Sequence, residues 1–196
     1  MRLLGTLRLL VDSEKVVSVS IAEERVDVLA QIIAYGNHEN AGPGPKAESG
    51  RLIAGLLKNC HSLKGMKNVM NMGGLPAVTV MLHSSHARML NEALVALTIL
   101  SSALASSSDE SDHDLLHRHL HTDLIINAVK RCLNNTDLAD GLKANAATFL
   151  KSLLQVRREE FGQMLKDMAF IEECGLNDKD KLNQMPKEVR DLVALL

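Results

Sequence analysis

The feature that most constrains the fold is a group of three helical segments that recurs at intervals of about forty residues. Residues 62–105 are predicted to form a short helix, a Gly-Gly turn, a medium helix and a long helix. Residues 113–155 follow the same order, and residues 14–60 fit it with a Gly/Pro-rich loop before the third helix. Three helices per ~40–47 residues are typical of armadillo repeats, in which each repeat covers the apolar face of its neighbour.

The sequence therefore predicts an all-α chain that forms an armadillo-repeat α-solenoid, a right-handed superhelix of three-helix repeats with partial repeats at both ends. A single armadillo-repeat domain, 1–196, is divided into a partial repeat, three full repeats and a degenerate, polar last repeat: 1–12, 14–60, 62–105, 113–155 and 158–196. Two stretches are predicted to be loops, the Gly/Pro-rich residues 36–45 and the polar, acidic residues 106–112.

Composition supports the all-α prediction and argues against several functions. Apolar residues make up 46 % of the chain, yet it has one Tyr, three Phe and no Trp, so Leu, Ala, Val, Ile and Met must build the core. A formal net charge of −2 and the scarcity of aromatic side chains argue against nucleic-acid binding. We find no apolar stretch near the ~20 residues of a membrane span, so we expect no membrane insertion and a cytosolic location.

The cysteine and histidine residues are the candidates for catalytic or metal-binding roles, and we interpret both sets as structural. Cys60, Cys132 and Cys174 lack zinc-site spacing, so we expect small buried hydrophobes in a reducing compartment. Four histidines cluster on one predicted helix: His113, His117, His119 and His121. Without an HExxH motif or a neighbouring cysteine, they favour a histidine-rich surface helix over a metal site. We predict no catalytic residue, no metal and no cofactor.

The third helix of each repeat is expected to line a groove, formed by residues 47–60, 87–105 and 139–155. Leu94, Leu97 and Leu100 should form the buried stripe of the second of these helices. Asn91 and Asn145 lie at comparable places in the second and third of these helices, and two interpretations of them remain open. Their amides could bind the backbone of a partner, since an amide both donates and accepts. They could instead cap or bridge neighbouring helices.

Several strings, in this order, carry a family resemblance: LLGTLRLLVD from residue 3, ESGRL from residue 48, Gly73-Gly74-Leu75 and NEALVAL from residue 91. Together they resemble the C-terminal armadillo repeats of the SmgGDS family of GTPase–GDP dissociation stimulators. The resemblance extends from about residue 3 to 155 and fades over 156–196. It implies a regulator that binds small GTPases of the Rho and Rap type, including those with prenylated tails, and favours GDP release without catalytic residues of its own.

Two departures from the family accompany this resemblance. The chain is much shorter than the family's stack, which indicates a fragment or a short form. Gly50 replaces an asparagine of the family that could have faced the groove. Polar residues near the starts of the groove helices are the candidate partner-binding residues: Glu48, Arg51, His86, Arg88, Asn91, Glu92, Lys143 and Asn145. The alternative function is an armadillo adaptor that binds an extended peptide without affecting nucleotide exchange. The sequence leaves the oligomeric state open.

Overall fold

A computed structural model describes residues 2–40, 42–120 and 123–196 of the chain. Every regular element in these residues is a helix, so the predicted all-α fold class is confirmed. The helices are α1 Arg2–Ser13, α2 Lys15–Glu23, α3 Val26–Asn37, α4 Pro43–Asn59, α5 Leu63–Asn71, α6 Leu75–Met81, α7 Ala87–Ala105, α8 Glu110–Leu120, α9 Asp123–Asn134, α10 Asp140–Val156, α11 Arg158–Asp167, α12 Phe170–Glu173, α13 Lys179–Gln184 and α14 Lys187–Val193.

The chain comprises two compact units, Met1–Ala103 and Leu104–Leu196, and each has its own core. Aliphatic and Met side chains fill the core of the first unit, as the composition predicts. Its large, fully buried side chains include Leu29, Leu52, Ile53, Leu56, Leu57, Met66, Met70, Leu75 and Met81. All three phenylalanines of the chain, Phe149, Phe161 and Phe170, are instead fully buried in the second unit.

Helix α4 is the central element of the first unit, because it packs against α1, α2, α3 and α6. Buried polar side chains fix its position. The Ser49 hydroxyl donates a 2.7 Å hydrogen bond to the carbonyl of Ile32 in α3. The Asn59 amide donates at 2.8 Å to the carbonyl of Val11 in α1. Helix α1 thus lies along α4.

Helix α7 has the buried stripe that the sequence predicts, since Leu94, Leu97 and Leu100 are at most 1 % exposed. With 19 residues and a mean hydropathy of 1.3, it has the length and composition of a membrane-crossing segment, which the sequence analysis did not identify. The core helix of a helical repeat meets the same criterion. Because the leucine stripe is buried against protein and Glu92 pairs with an arginine of α4, we interpret α7 as a core helix.

Turns between helices follow from glycine and proline, although two boundaries differ from the prediction. Gly73 takes a positive φ of 78°, as predicted for the corner before α6. The stretch 36–45 is not a loop throughout, because α4 already begins at Pro43. Proline is compatible with a first helical turn, where the backbone N–H has no partner within the helix. The acidic linker is also shorter than predicted, since α8 begins at Glu110.

Helix α10 organises the second unit and packs against α9, α11 and α14. The predicted degenerate repeat does contain buried apolar residues. Val189 and Leu192 of α14 are both fully buried. Helix α13 was not predicted, since its sequence contains a single apolar residue. The carboxylate of Asp178 starts it by accepting backbone hydrogen bonds from Asp180 and Lys181.

Candidate partner-binding surface

A row of six charged residues crosses α1, α4 and α7 within the first unit. We call it the charge ladder, and it consists of Asp12, Arg8, Glu48, Arg51, Glu92 and Arg88. Each helix contributes one acidic and one basic residue spaced three or four positions apart, so both side chains project from the same helical face. The helix register therefore places three charge pairs side by side across α1, α4 and α7.

The ladder is continuous, because acids and bases alternate across the helix boundaries. Arg8 Nε lies 3.0 Å from Glu48 Oε2, and its Nη1 lies 3.1 Å from Asp12 Oδ2. The other oxygen of Glu48 accepts from Arg51 Nη1 at 3.2 Å. In this way Glu48 joins α1 to α4.

The contact between α4 and α7 is the strongest of the ladder. Arg51 donates from Nε to Glu92 Oε2 at 2.7 Å and from Nη2 to Glu92 Oε1 at 3.0 Å. In this bidentate geometry a guanidinium binds a carboxylate most strongly. Arg88 Nε contacts the same Oε1 at 3.1 Å. The Arg51 side chain is 14 % exposed, whereas that of Arg88 is 78 % exposed.

The pKa values of Arg51 and Glu92 are both shifted in the direction that favours the charged form. The hydrogen bonds with Glu92 raise the pKa of Arg51 more than partial burial lowers it. Burial alone would raise the pKa of Glu92, but hydrogen bonds and positive charge from Arg51 and Arg88 outweigh it, so the pKa of Glu92 is lowered. The ladder is thus a surface of fixed, mutually neutralising charges, with Arg88 as its most exposed cation.

The structure brings together half of the predicted contact residues. Glu48, Arg51, Arg88 and Glu92 all belong to the ladder. His86 lies just before α7, is exposed, and its backbone N–H donates to Ser84 Oγ at 3.1 Å. Asn91 is half-buried on α7.

The remaining candidates, Lys143 and Asn145, lie on α10 in the second unit. Lys143 is only 9 % exposed, and its charge acts on the Cys132 thiol. Sequence reasoning missed Arg8 and Asp12. Their i,i+4 spacing on a helix equivalent to a third helix was the available signal.

Position 50 packs closely against α6. The sequence suggested that a side chain at this position could face the groove, but a Cβ there would lie 2.6 Å from the backbone oxygen of Ala77 and 3.0 Å from Met81 Sδ. Position 50 therefore faces α6 at a close helix approach. Because only glycine fits there without displacement, an asparagine is excluded from this position by packing.

An apolar recess of about 460 Å³ opens between α1 and α3 of the first unit. Its lining is almost entirely aliphatic, and it consists of Leu3, Leu4, Thr6, Leu7, Leu10, Val28, Gln31, Ile32 and Tyr35. Leu3 is 88 % exposed and Tyr35 is 45 % exposed. The recess is therefore an apolar surface that is partly open to solvent.

The histidines of α8 take part in pairs. His117 Nε2 lies 2.9 Å from Glu160 Oε2 of α11, and His113 Nδ1 lies 3.7 Å from Glu110 Oε2. Burial, and then the neighbouring Arg118 charge, lowers the pKa of His119. His121 lies outside the described residues. Among the described residues, no three His, Cys, Asp or Glu side chains are arranged to hold a metal ion.

The three cysteines are buried free thiols, as expected. Burial raises the pKa of Cys60, and it raises the pKa of both Cys132 and Cys174 to about 11. A thiol with such a pKa is almost entirely protonated near neutral pH and is a poor nucleophile. These residues act as small core side chains.

Comparisons with known proteins show a distant relationship. Rap1 GTPase-GDP dissociation stimulator 1-A of Xenopus laevis is 31 % identical over 114 residues, which cover 58 % of this chain and 18 % of that protein. Rap1 GTPase-GDP dissociation stimulator 1-B of Xenopus laevis is 26 % identical over 173 residues, which cover 87 % of this chain and 26 % of that protein. The chain thus spans less than a third of the length of either relative. No family model and no solved structure matches the chain.

Proposed function

We propose that this chain binds a small GTPase of the Rap or Rho type and favours release of its GDP. The observation that carries the proposal is the distant similarity to two GTPase–GDP dissociation stimulators. The charge ladder supports it, because it provides a polar surface across α1, α4 and α7. On this proposal the contact residues of the first unit are the ladder residues together with His86 and Asn91. Lys143 and Asn145 are candidate contact residues of the second unit, taken by itself.

Release of GDP by such a surface requires no chemistry from the chain. A binder that prefers the nucleotide-free GTPase over the GDP–Mg²⁺ form shifts the equilibrium toward nucleotide release. The size of the effect equals the difference between the two binding free energies, which is typically ~1–3 kcal/mol in coupled systems. We therefore propose a regulator rather than an enzyme. The buried, protonated thiols fit the cytosolic, reducing location that is part of the proposal.

The ladder suggests how the partner binds. Four of its six members form pairs across helix interfaces, namely Arg8, Glu48, Arg51 and Glu92. Asp12 and the 78 % exposed Arg88 pair within their own helices, at the two ends of the ladder. A carboxylate of the GTPase can bind Arg88 without opening the pairs beneath it. Rim charges of this kind govern association rate and salt dependence more than the total affinity.

The test is calorimetric titration of the chain with a Rap and a Rho protein, each nucleotide-free and GDP-loaded. We expect at least about tenfold tighter binding to the nucleotide-free form, equivalent to ~1.4 kcal/mol. Arg88→Glu should weaken binding and reduce its salt dependence. Arg25→Glu is the matched control, since Arg25 is also exposed but pairs locally with Asp27. Equal affinity for both nucleotide states would contradict the proposal.

The second candidate is an adaptor that binds an extended peptide. It is favoured by Asn91 and Asn145, which occupy corresponding places in α7 and α10. An adaptor would bind unstructured peptides and would leave nucleotide release unchanged. Binding to a GTPase tail peptide with the same affinity as to the whole GTPase would favour this candidate.

A further inference from the structure

The segment between α7 and α8 is a run of serines and acidic residues, Ser106-Ser107-Ser108-Asp109-Glu110-Ser111-Asp112, that the proposed function does not use. Residues 106–109 lie outside helices, and α8 begins at Glu110. Both the segment after Ala103 and α8 belong to the second unit. The run therefore leads into α8, and its last three residues form the first turn of that helix.

Ser107 holds the start of α8 in place. Its hydroxyl donates a 2.5 Å hydrogen bond to Asp112 Oδ2 and accepts one from the backbone N–H of Asp109 at 3.2 Å. Asp109 in turn accepts from the backbone N–H of Ser111 at 2.9 Å. The Asp112 side chain belongs to the core, because that residue is only 1 % exposed.

We propose that Ser107 is a phosphorylation site for an acid-directed serine kinase, and that the phosphoryl group opens the first turn of α8. Asp109 and Glu110 follow Ser107 at positions +2 and +3, so the segment offers two carboxylates to a basic substrate groove. Residues 106–109 lie outside the helices and contain a turn and a bend, which the groove of the kinase would have to straighten. The inference is independent of the proposed GTPase binding.

The reaction is an ordinary phosphoryl transfer. The kinase supplies Mg²⁺-ATP, and the oxygen of Ser107 attacks the γ-phosphorus. A new O–P bond forms while the bond from phosphorus to the β-phosphate oxygen breaks, releasing ADP. The hydroxyl proton passes to a base of the kinase. The hydrogen that Ser107 donated to Asp112 is therefore lost.

The negative charge of the phosphate would then destabilise the start of α8. Phosphoserine carries about −1.5 to −2 charges near pH 7, and it would stand against the buried carboxylate of Asp112. A helix N-terminus contributes only about half a positive charge. Asp109, Glu110 and Asp112 add three full negative charges, so repulsion outweighs the attraction of the helix dipole.

A second contact links this turn to the rest of its unit. Glu110 Oε1 accepts from Arg157 Nη2 at 2.8 Å, and Asp114 pairs with the same Nη2. Arg157 follows α10 directly. Opening of the first turn of α8 would withdraw Glu110 from Arg157, so phosphorylation would loosen the contact of α8 with the end of α10.

The test treats the full chain with Mg²⁺-ATP and a purified kinase that requires Glu three residues after the serine. Tandem mass spectrometry should map the phosphate to Ser107. Glu110→Gln should slow the reaction at least about tenfold, which corresponds to ~1.4 kcal/mol. Ser62 is the matched control, because it also caps a helix, accepting from the Gly65 N–H, but Lys64 follows it; it should remain unmodified.

The structural readout is amide hydrogen exchange of the phosphorylated chain. The amides of Asp109, Ser111 and Asp112 should exchange at least about fivefold faster than in the unmodified chain, with α13 unchanged. Phosphate mapped to Ser106, Ser108 or Ser111 in place of Ser107 would overturn the proposal. So would no incorporation, or exchange at the start of α8 that is unchanged or slower.

Discussion

Breaking the contact between Arg51 and Glu92 tests whether the charge ladder holds α4 against α7. The perturbation is a double-mutant cycle of Arg51→Met, Glu92→Gln and the double variant. Glu92→Gln preserves the side-chain length, Arg51→Met keeps only the apolar stem, and each removes the charge. Glu92 retains Arg88 and Glu48 retains Arg8 when Arg51 is replaced, so neither carboxylate loses its last cation.

The magnitude follows from the geometry of the pair. Opposite charges about 3 Å apart attract by ~5 kcal/mol at an effective dielectric constant of 20. Partial desolvation and the immobilisation of a flexible arginine, with up to ~2 kcal/mol of side-chain entropy, offset most of this. We therefore expect a coupling free energy of about 1.5 kcal/mol, above the ~0.2–1 kcal/mol of exposed pairs.

The assay is urea unfolding of the four proteins, followed by circular dichroism. Arg25 and Asp27 provide the control cycle, since their pair is about 60 % exposed and lies within one turn; their coupling should not be measurable. A coupling between Arg51 and Glu92 below about 0.3 kcal/mol, within the error of additivity, would refute the reasoning.

The stabilisation provided by the Arg51–Glu92 pair should decrease as the pH falls. The pKa of Glu92 is lowered in the folded state, so its contribution to the free energy of unfolding is fully present above its unfolded-state pKa of ~4.3. It is lost as the pH falls through the lower folded-state pKa. The stability difference between the parent and Arg51→Met should therefore shrink between pH 6 and pH 3, and a constant difference would contradict the assignment.

Three further substitutions test the core, a close helix approach and the groove. Leu97→Asp should cost more than ~5 kcal/mol and unfold the first unit, because Leu97 is fully buried; Val80→Asp, at a 66 % exposed position, should melt like the parent. Gly50→Ala should destabilise by about 1–3 kcal/mol in urea unfolding. Gly141→Ala, where a Cβ meets no atom within 4 Å, should instead stabilise by up to ~1 kcal/mol. Asn91→Ala with Asn145→Ala should weaken GTPase binding about tenfold by calorimetry, through loss of amide hydrogen bonds, without loss of helicity; unchanged affinity would count against the groove assignment.

The sequence predicted the helices well where apolar periodicity was strong. The leucine stripe of α7 and the positive φ of Gly73 both follow from local rules. Errors occurred where proline or acidic residues begin helices. Pro43 and Glu110 resemble loop residues, yet a first helical turn accepts proline and favours negative charge.

The candidate surface was only partly predictable. Sequence spacing identifies Arg51 and Glu92 as polar residues near the starts of third helices. It cannot show that they face each other, because this depends on the tertiary packing of α4 against α7. Position 50 illustrates the same limit, since the proximity of Ala77 arises from residues far apart in the chain.

Release of fluorescent mant-GDP from Rap and Rho proteins, with the chain added at equimolar concentration, tests the central claim most directly. We predict a release rate at least about tenfold above the intrinsic rate for one or more of these GTPases. Arg88→Glu should reduce the acceleration, and Arg25→Glu should leave it unchanged. Release at the intrinsic rate from every GTPase, together with binding to unrelated extended peptides, would contradict the proposed function.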